Sequence, residues 1–352
     1  MKLAGDVRSF CSVYRAALVI LAVCPVWGQF KSTVPLVIAP TTVTDGKGRL
    51  IDGLTAEDLI LYDHNVPQTI QVDMDVHPVA LVVVLQAGVS AQAMLDKTHA
   101  LGSLLSALLA GEGGETAILA FSDKVRMVQP FTDDSTILSK ALRNLRTSGD
   151  GCALVDAMTE ALRLLETRGT KRRVMLVIGE RRDRSSKTAL EALVRAPGLQ
   201  TTSIYWVTYS SWLEPYTNRR KTVWDRMTDE EKARPERMQP GLKFPLPEEL
   251  EPLPPTEMPG SIFDVFRELV HRSKTDLADM LTRTTGARTF NFLKQRGLED
   301  AVQAVAEEVH RQYLVSFQPK ADEPGVFHEI RAEVRGRPEF IARTRSGYWT
   351  VR

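Results

Sequence analysis

The order of apolar runs predicts an α/β protein: a doubly wound, mostly parallel sheet with a small flanking β domain made from the two ends of the chain. Three observations carry this. The run Val79-Ala80-Leu81-Val82-Val83-Val84-Leu85 is apolar on every residue, as a strand covered on both faces must be. Two more such runs, Arg173 to Ile178 and Thr202 to Val207, alternate with amphipathic stretches at helical spacing. Shorter, β-rich pieces without helices lie before residue 77 and after residue 318.

Taken in order, residues 1–28 come first. Lys2, Arg8 and Arg15 precede an apolar run, Ala16 to Val26, and small Gly28 follows. That order predicts a secretory signal peptide cleaved before Gln29, and a secreted or periplasmic product. The run is too short for a stable membrane span, and Pro25 interrupts it. Cleavage removes Cys11 and Cys24 and leaves Cys152 alone, so an intrachain disulfide is impossible.

Residues 29–76 read as an N-terminal β segment. Val34 to Val43 is one strand, Asp45-Gly46-Lys47-Gly48 a turn, and Thr55 to Asp58 a single capped helical turn. Leu59 to Tyr62 and Thr69 to Val76 are two further strands.

Residues 77–318 form the α/β unit. After the first buried strand, Ala93 to Leu109 carries an apolar stripe at helical spacing. Glu115 to Phe121 and Val125 to Phe131 are joined by a three-residue link and form a hairpin. Helices follow at Thr136 to Leu145, Leu154 to Thr167 and near Thr188 to Val194. Residues 211–260 interrupt the rhythm with a proline-rich, charged stretch that reads as an extended or disordered insertion. Beyond it, Ile262 to His271, Asp276 to Thr284 and Leu298 to Tyr313 are helical, Arg288 to Phe292 is a short strand, and Leu314 to Phe317 is the last strand. The tail, 319–352, alternates as strands do, and pairs with 29–76.

Composition narrows the function. The formal net charge is +1, and no basic cluster is interleaved with aromatic residues, so nucleic acid is excluded as a partner. In an open α/β sheet, ligands bind beyond the carboxyl ends of the strands, so the loops after Leu85 and Ile178 matter most. The first reads Gln86-Ala87-Gly88-Val89-Ser90, and the second Gly179-Glu180-Arg181-Arg182-Asp183-Arg184. The second is a charged run, either a solvated loop with local ion pairs or a recognition patch.

These loops resemble those of a von Willebrand factor A domain, a Rossmann-like fold. The family's first loop is Asp-x-Ser-x-Ser. Here Gln86 and Gly88 replace the Asp and the first Ser, and only Ser90 matches. Ser148 to Ala157 resembles the second metal loop, with Cys152 at the Thr position, and Met175 to Glu180 resembles the third, with Glu180 at the Asp position. The flanks Thr42 to Arg49, Gly53 to Leu59, Arg311 to Pro319 and Arg345 to Trp349 resemble an exported subfamily abundant in acidobacteria.

The resemblance implies a protein-interaction module with a metal-ion-dependent adhesion site. Magnesium wants hard oxygen ligands with carboxylate among them. Carried over by position, this chain offers Gln86, Gly88, Ser90, Cys152 and Glu180, with Asp150 and Asp183 nearby. Gln86 has no charge, Gly88 no ligand, and Cys152 a soft sulfur. The expectation is therefore a degenerate site with no bound cofactor, no catalytic residue, and a protein partner met by Gln86, Gly88, Ser90, Cys152, Glu180, Arg181 and Arg182.

Two alternatives stand beside this expectation. One is a metal-dependent module that keeps a divalent cation through Ser90, Glu180 and Asp183. The other is a hydrolase built on Cys152 at a helix start. That hydrolase needs a base, and the six histidines (64, 77, 99, 271, 310 and 328) are scattered along the chain.

Overall fold

The computed structural model describes residues 36–73, 78–107, 113–169, 171–209, 277–319 and 326–350. The expected signal peptide, the 211–260 insertion and the Ile262 to His271 helix lie outside the described residues. Among the described residues no helix is long and apolar enough to cross a membrane.

The central sheet is built on β5 (Val79–Gln86), whose eight residues are all buried. It pairs in parallel with β6 (Glu115–Phe121) on one side and β8 (Arg172–Ile178) on the other. The sheet continues through β9 (Thr202–Tyr209) to β10 (Thr289–Phe292), both parallel, and closes at the other edge with antiparallel β7 (Val125–Thr132). The order is β10-β9-β8-β5-β6-β7. Alternation along β5 feeds two cores. Val79, Leu81, Val83 and Leu85 pack on one face, and Ala80, Val82 and Val84 on the other.

Helices cover both faces. On the first lie α1 (Gln92–Thr98), α2 (Gly102–Ala107), α3 (Ser135–Asn144) and α7 (Gln295–His310). On the second lie α4 (Leu154–Glu166), α5 (Leu190–Arg195) and α6 (Leu277–Thr285). Asp134 starts α3 by accepting from the N–H groups of Thr136 and Ile137, an N-cap. Gly286, at φ +77°, ends α6 in the left-handed conformation that glycine tolerates.

The structure corrects the sequence reading at three places. The single helix expected from Ala93 to Leu109 is two, α1 and α2, preceded by a 3₁₀ turn at Val89–Ala91. Gly102 sits at the break. A Cβ there would lie 2.4 Å from the Ser139 Cα, so the bend lets α2 approach α3 closely. The helix expected to run to Tyr313 stops at His310. The strand expected to complete the α/β unit is β11 (Tyr313–Phe317), and it joins the terminal segments rather than the central sheet. Tyr313 is fully buried there, donating to the Ile51 carbonyl and accepting from the Leu54 N–H. This tertiary pairing outweighs the local helical pattern.

Two small sheets form from the ends of the chain. In one, β11 lies between β1 (Val37–Thr44) and β4 (Ile70–Asp73), and β13 (Ile341–Arg343) extends β1. In the other, β12 (Phe327–Val334) pairs with β2 (Leu59–Asp63) and with β14 (Gly347–Trp349), and β3 (Val66–Pro67) forms the edge. Their shared core contains Ala39, Leu61, Tyr313, Val315, Phe317 and Tyr348. The Thr55 to Asp58 stretch is a single hydrogen-bonded turn, closed by the Asp58 N–H on the Thr55 carbonyl, in which the Asp58 carboxylate accepts from the Thr55 N–H and hydroxyl.

Glu308 ties the two parts together. It is 2% exposed, accepts from the Tyr205 hydroxyl of β9, and pairs with Arg288 and with Arg343 of β13. Burial and the charge of Glu308 hold the Tyr205 phenol well above its ordinary range.

Candidate functional site

Four loops meet beyond the carboxyl ends of β5, β6 and β8. Main-chain bonds tie them together. Ala87 N–H donates to the Phe121 carbonyl, Ser148 N–H to Ala87, Val89 N–H to Gly149, and Ala153 N–H to Ser122. Gly88 is buried with its backbone extended, and a Cβ on it would meet the Gly151 carbonyl at 3.4 Å, which is ordinary contact.

Gln86 is 1% exposed, so its amide must be satisfied within the protein. The partner is Glu180. The Gln86 Oε1 accepts from the Glu180 N–H at 2.7 Å, and Nε2 donates to the Glu180 carboxylate at 3.0 Å. The close approach depends on Gly179. A Cβ at Gly179 would lie 3.0 Å from the Gln86 Cβ and 3.3 Å from the Phe121 ring. The Glu180 carboxylate also receives the Arg184 guanidinium, with Nη1 at 3.1 Å and Nη2 at 3.2 Å.

Cys152 is fully buried at the start of α4. Its Sγ donates to the Arg182 carbonyl at 3.1 Å, and its N–H donates to the Ser185 hydroxyl at 2.8 Å. Burial, reinforced by the nearby Glu180 charge, pushes the thiol up to about 12. That is the reverse of an activated nucleophile.

The two neighbouring aspartates are engaged with backbone. Asp183 Oδ1 accepts from the N–H groups of Leu154 and Val155 and from the Ser186 hydroxyl, so a residue remote in sequence caps α4. Asp150 Oδ1 accepts from the Ser90 N–H at 3.2 Å. Asp156, in the first turn of α4, accepts from the N–H groups of Lys187 and Thr188, and these bonds hold its carboxyl below the usual range against burial, the largest opposing effect. Arg181 leans away toward β9 and α6, near Thr208 Oγ1 at 3.4 Å and Asp279 at 3.7 Å. Arg182 is exposed.

The structure thus brings Gln86, Gly88, Ser90, Cys152, Glu180 and Asp183 into one loop cluster. Arg184 was legible only as part of a charged run. Its role follows from its placement four residues after Glu180 on the same turn of chain. A second group was not legible at all. Asp63, His64 and His328 offer ligand atoms that all lie within 4.8 Å of one another, though 264 positions separate the histidines in the sequence.

The sequence model of the von Willebrand factor type A domain matches residues 85–181. No curated protein matches the chain. Among solved structures, the chain is similar to the conserved hypothetical protein BatB from Bacteroides thetaiotaomicron (17% identity, TM-score 0.31, covering 37% of this chain and 66% of that one). It is similar to the vWF domain of the type V pili tip protein Mfa5 from Porphyromonas gingivalis (21% identity, TM-score 0.27, covering 30% and 38%). A third is a von Willebrand factor type A protein from Catenulispora acidiphila (10% identity, TM-score 0.40, covering 92% and 75%). The chain spans less than two thirds of the length of the first two of these structures. The stretch from Leu85 to Arg181, which begins at the end of β5 and includes Gln86, Gly88, Ser90, Cys152 and Glu180, is a match to the von Willebrand factor type A domain.

Proposed function

We propose that the chain is an exported, non-enzymatic protein-interaction module whose metal-ion-dependent adhesion site is degenerate. The observation that carries this reading is the double hydrogen bond between Gln86 and Glu180. It joins the two positions that correspond to the family's carboxylates, and it uses the oxygens an ion would need. Magnesium demands near-octahedral oxygen coordination at about 2.0–2.1 Å. The donors here do not suit it. Gln86 and Glu180 satisfy each other, Gly88 has no side chain, Cys152 presents a buried, protonated sulfur, and Asp183 is committed to the start of α4.

In this reading a protein partner is met without an intervening ion, through the loops that carry Gly88, Ser90, Glu180, Arg181 and Arg182. Arg184, which neutralises Glu180, supplies the positive charge that an ion supplies in the metal-loaded family members. The hydrolase reading is disfavoured because the Cys152 thiol is held protonated and its hydrogen bond goes to a backbone carbonyl. Export to the periplasm or beyond rests on the charged-apolar-small order of residues 1–28.

Calorimetric titration of the purified protein with Mg²⁺ or Mn²⁺ tests the site, and no binding in the micromolar range is expected. A partner recovered from the native envelope fraction should stay bound in EDTA. Tight Mg²⁺ binding with loss of the partner in EDTA would replace this reading with a cation held by Ser90, Glu180 and Asp183. Protein from the native host should begin at or near Gln29.

A further inference from the structure

We infer that Asp63, His64 and His328 form a binding site for a late first-row divalent cation of the zinc class, separate from the loop cluster at the sheet's carboxyl end. Asp63 ends β2 and His328 lies on the neighbouring strand β12. Both occupy inward-facing positions, Asp63 in line with Leu59 and Leu61, and His328 in line with Ile330 and Ala332. Apolar residues belong at such positions, and a buried carboxylate is costly unless it is paired. Here Asp63 and His328 are 7% and 6% exposed.

Their geometry suits a metal. Asp63 Oδ1 and His328 Nδ1 are 3.0 Å apart, while Tyr348 donates to the other oxygen, Oδ2, at 2.8 Å. Two ligands at about 2.0–2.1 Å on a tetrahedral zinc ion are separated by roughly 3.3 Å, so this pair needs little movement to share one. The Tyr348 hydroxyl then acts as the outer hydrogen bond that orients a ligating carboxylate. The His328 ring is also stacked on the Tyr348 ring, with centroids 5.0 Å apart.

His64 supplies the third donor. It opens a two-residue hairpin turn between β2 and β3, with φ 46° at His64 and φ 64° at Asn65. Such turns favour asparagine, aspartate or glycine, so turn chemistry alone does not call for histidine. The His64 N–H donates to the Glu329 carbonyl, which fixes the turn beside His328, and the two imidazole rings meet edge-on with centroids 4.8 Å apart. All three ligand atoms lie within 4.8 Å of one another. His64 is exposed, so its side chain can close the remaining distance and leave the fourth position to water. Two imidazoles and one carboxylate are a ligand set suited to zinc rather than to magnesium or calcium.

The test is calorimetric titration of the full chain with Zn²⁺, paired with Co²⁺ absorption spectra. One ion per chain with micromolar or tighter affinity is expected, along with the visible bands of tetrahedral cobalt and a rise in melting temperature on adding zinc. His64→Asn keeps a residue that tolerates the turn, so it should fold normally and bind zinc at least tenfold more weakly. Absence of zinc binding by the wild type or unchanged affinity in His64→Asn would overturn the assignment.

Discussion

The side-chain amide of Gln86 grips Glu180 at two points, its oxygen on the Glu180 N–H at 2.7 Å and its nitrogen on the Glu180 carboxylate at 3.0 Å. The carboxyl ends of β5 and β8 are therefore joined by a neutral-to-charged hydrogen-bonded pair. An ion would have to break that pair in order to bind there.

Gln86→Asp should destabilise the fold in the absence of divalent cations. It removes both bonds and places a second carboxylate in a buried position facing Glu180. The cost of an unsatisfied buried group is about 1–3 kcal/mol, more when it is charged. Adding Gly88→Ser restores a hydroxyl, and the extended backbone at residue 88 accepts a Cβ at ordinary contact distance from the Gly151 carbonyl. Urea melts of Gln86→Asp/Gly88→Ser with and without Mg²⁺ should show part of the loss recovered by the ion, and Cys152→Thr should increase the recovery. Equal stability of Gln86→Asp and wild type would show that the bridge contributes nothing.

Asp183→Ala should lower stability by about 1–2 kcal/mol, the usual range for a lost helix cap. Asp183 bonds the N–H groups of Leu154 and Val155, and no nearer residue replaces it. Asp183→Asn retains an acceptor and should lose less. If Asp183 acts as a cap, the stability that each variant loses relative to wild type should be the same with and without EDTA.

The Cys152 thiol gives a pH signature. The folded protein raises it from 9.0 to about 12, so the protonated form is favoured by folding. Its contribution is fully present below pH 9. It is lost as pH rises from 9 toward 12, because the unfolded thiol ionises first. The slope from this one group is at most about 1.4 kcal/mol per pH unit. Cys152→Ala should therefore lose less stability between pH 9 and 11 than wild type does, measured as the difference between two urea series. Below pH 9, native Cys152 should resist alkylation by iodoacetamide on the timescale that modifies the unfolded chain.

Glu308→Ala should be among the most damaging single changes. It leaves Arg288 and Arg343 without their shared carboxylate and Tyr205 without its acceptor. Removing one partner of a fully buried ion pair costs about 3–5 kcal/mol, and the loss here should fall below that because the Arg288 and Arg343 side chains are 40% and 30% exposed. Glu308→Gln keeps the acceptor for Tyr205 and should lose less. Thermal melts should show the terminal strands and the central sheet weakened together, since Glu308 contacts both Tyr205 on β9 and Arg343 on β13.

The legible part of this fold is the part governed by period. The unbroken apolar run Val79 to Leu85, short, rich in β-branched residues and followed by helical stretches, reads as a doubly covered strand, and it is one. The amphipathic stripe of α4 and the hairpin of β6 and β7 follow from spacing alone. The break between α1 and α2 does not. It is set by the contact of Gly102 with Ser139, 37 positions away in the sequence. Tyr313 illustrates the same limit, because its place at the start of β11 depends on pairing with Thr41.

The loop cluster divides in the same way. The sequence by itself determined which residue types stand in these loops, Gln86, Gly88, Ser90, Cys152 and Glu180 among them. Only the tertiary structure decided what the groups in them do. Asp183 is turned onto the α4 N–H groups, Arg184 lies on Glu180, and Gln86 bridges to Glu180 across 94 residues of chain. The same holds for Asp63, His64 and His328, which share a site because β2 pairs with β12. The physical reason is range. Periodicity and residue chemistry act within a few positions, whereas hydrogen bonds and ligand sets are fixed by strand pairing that joins opposite ends of the chain.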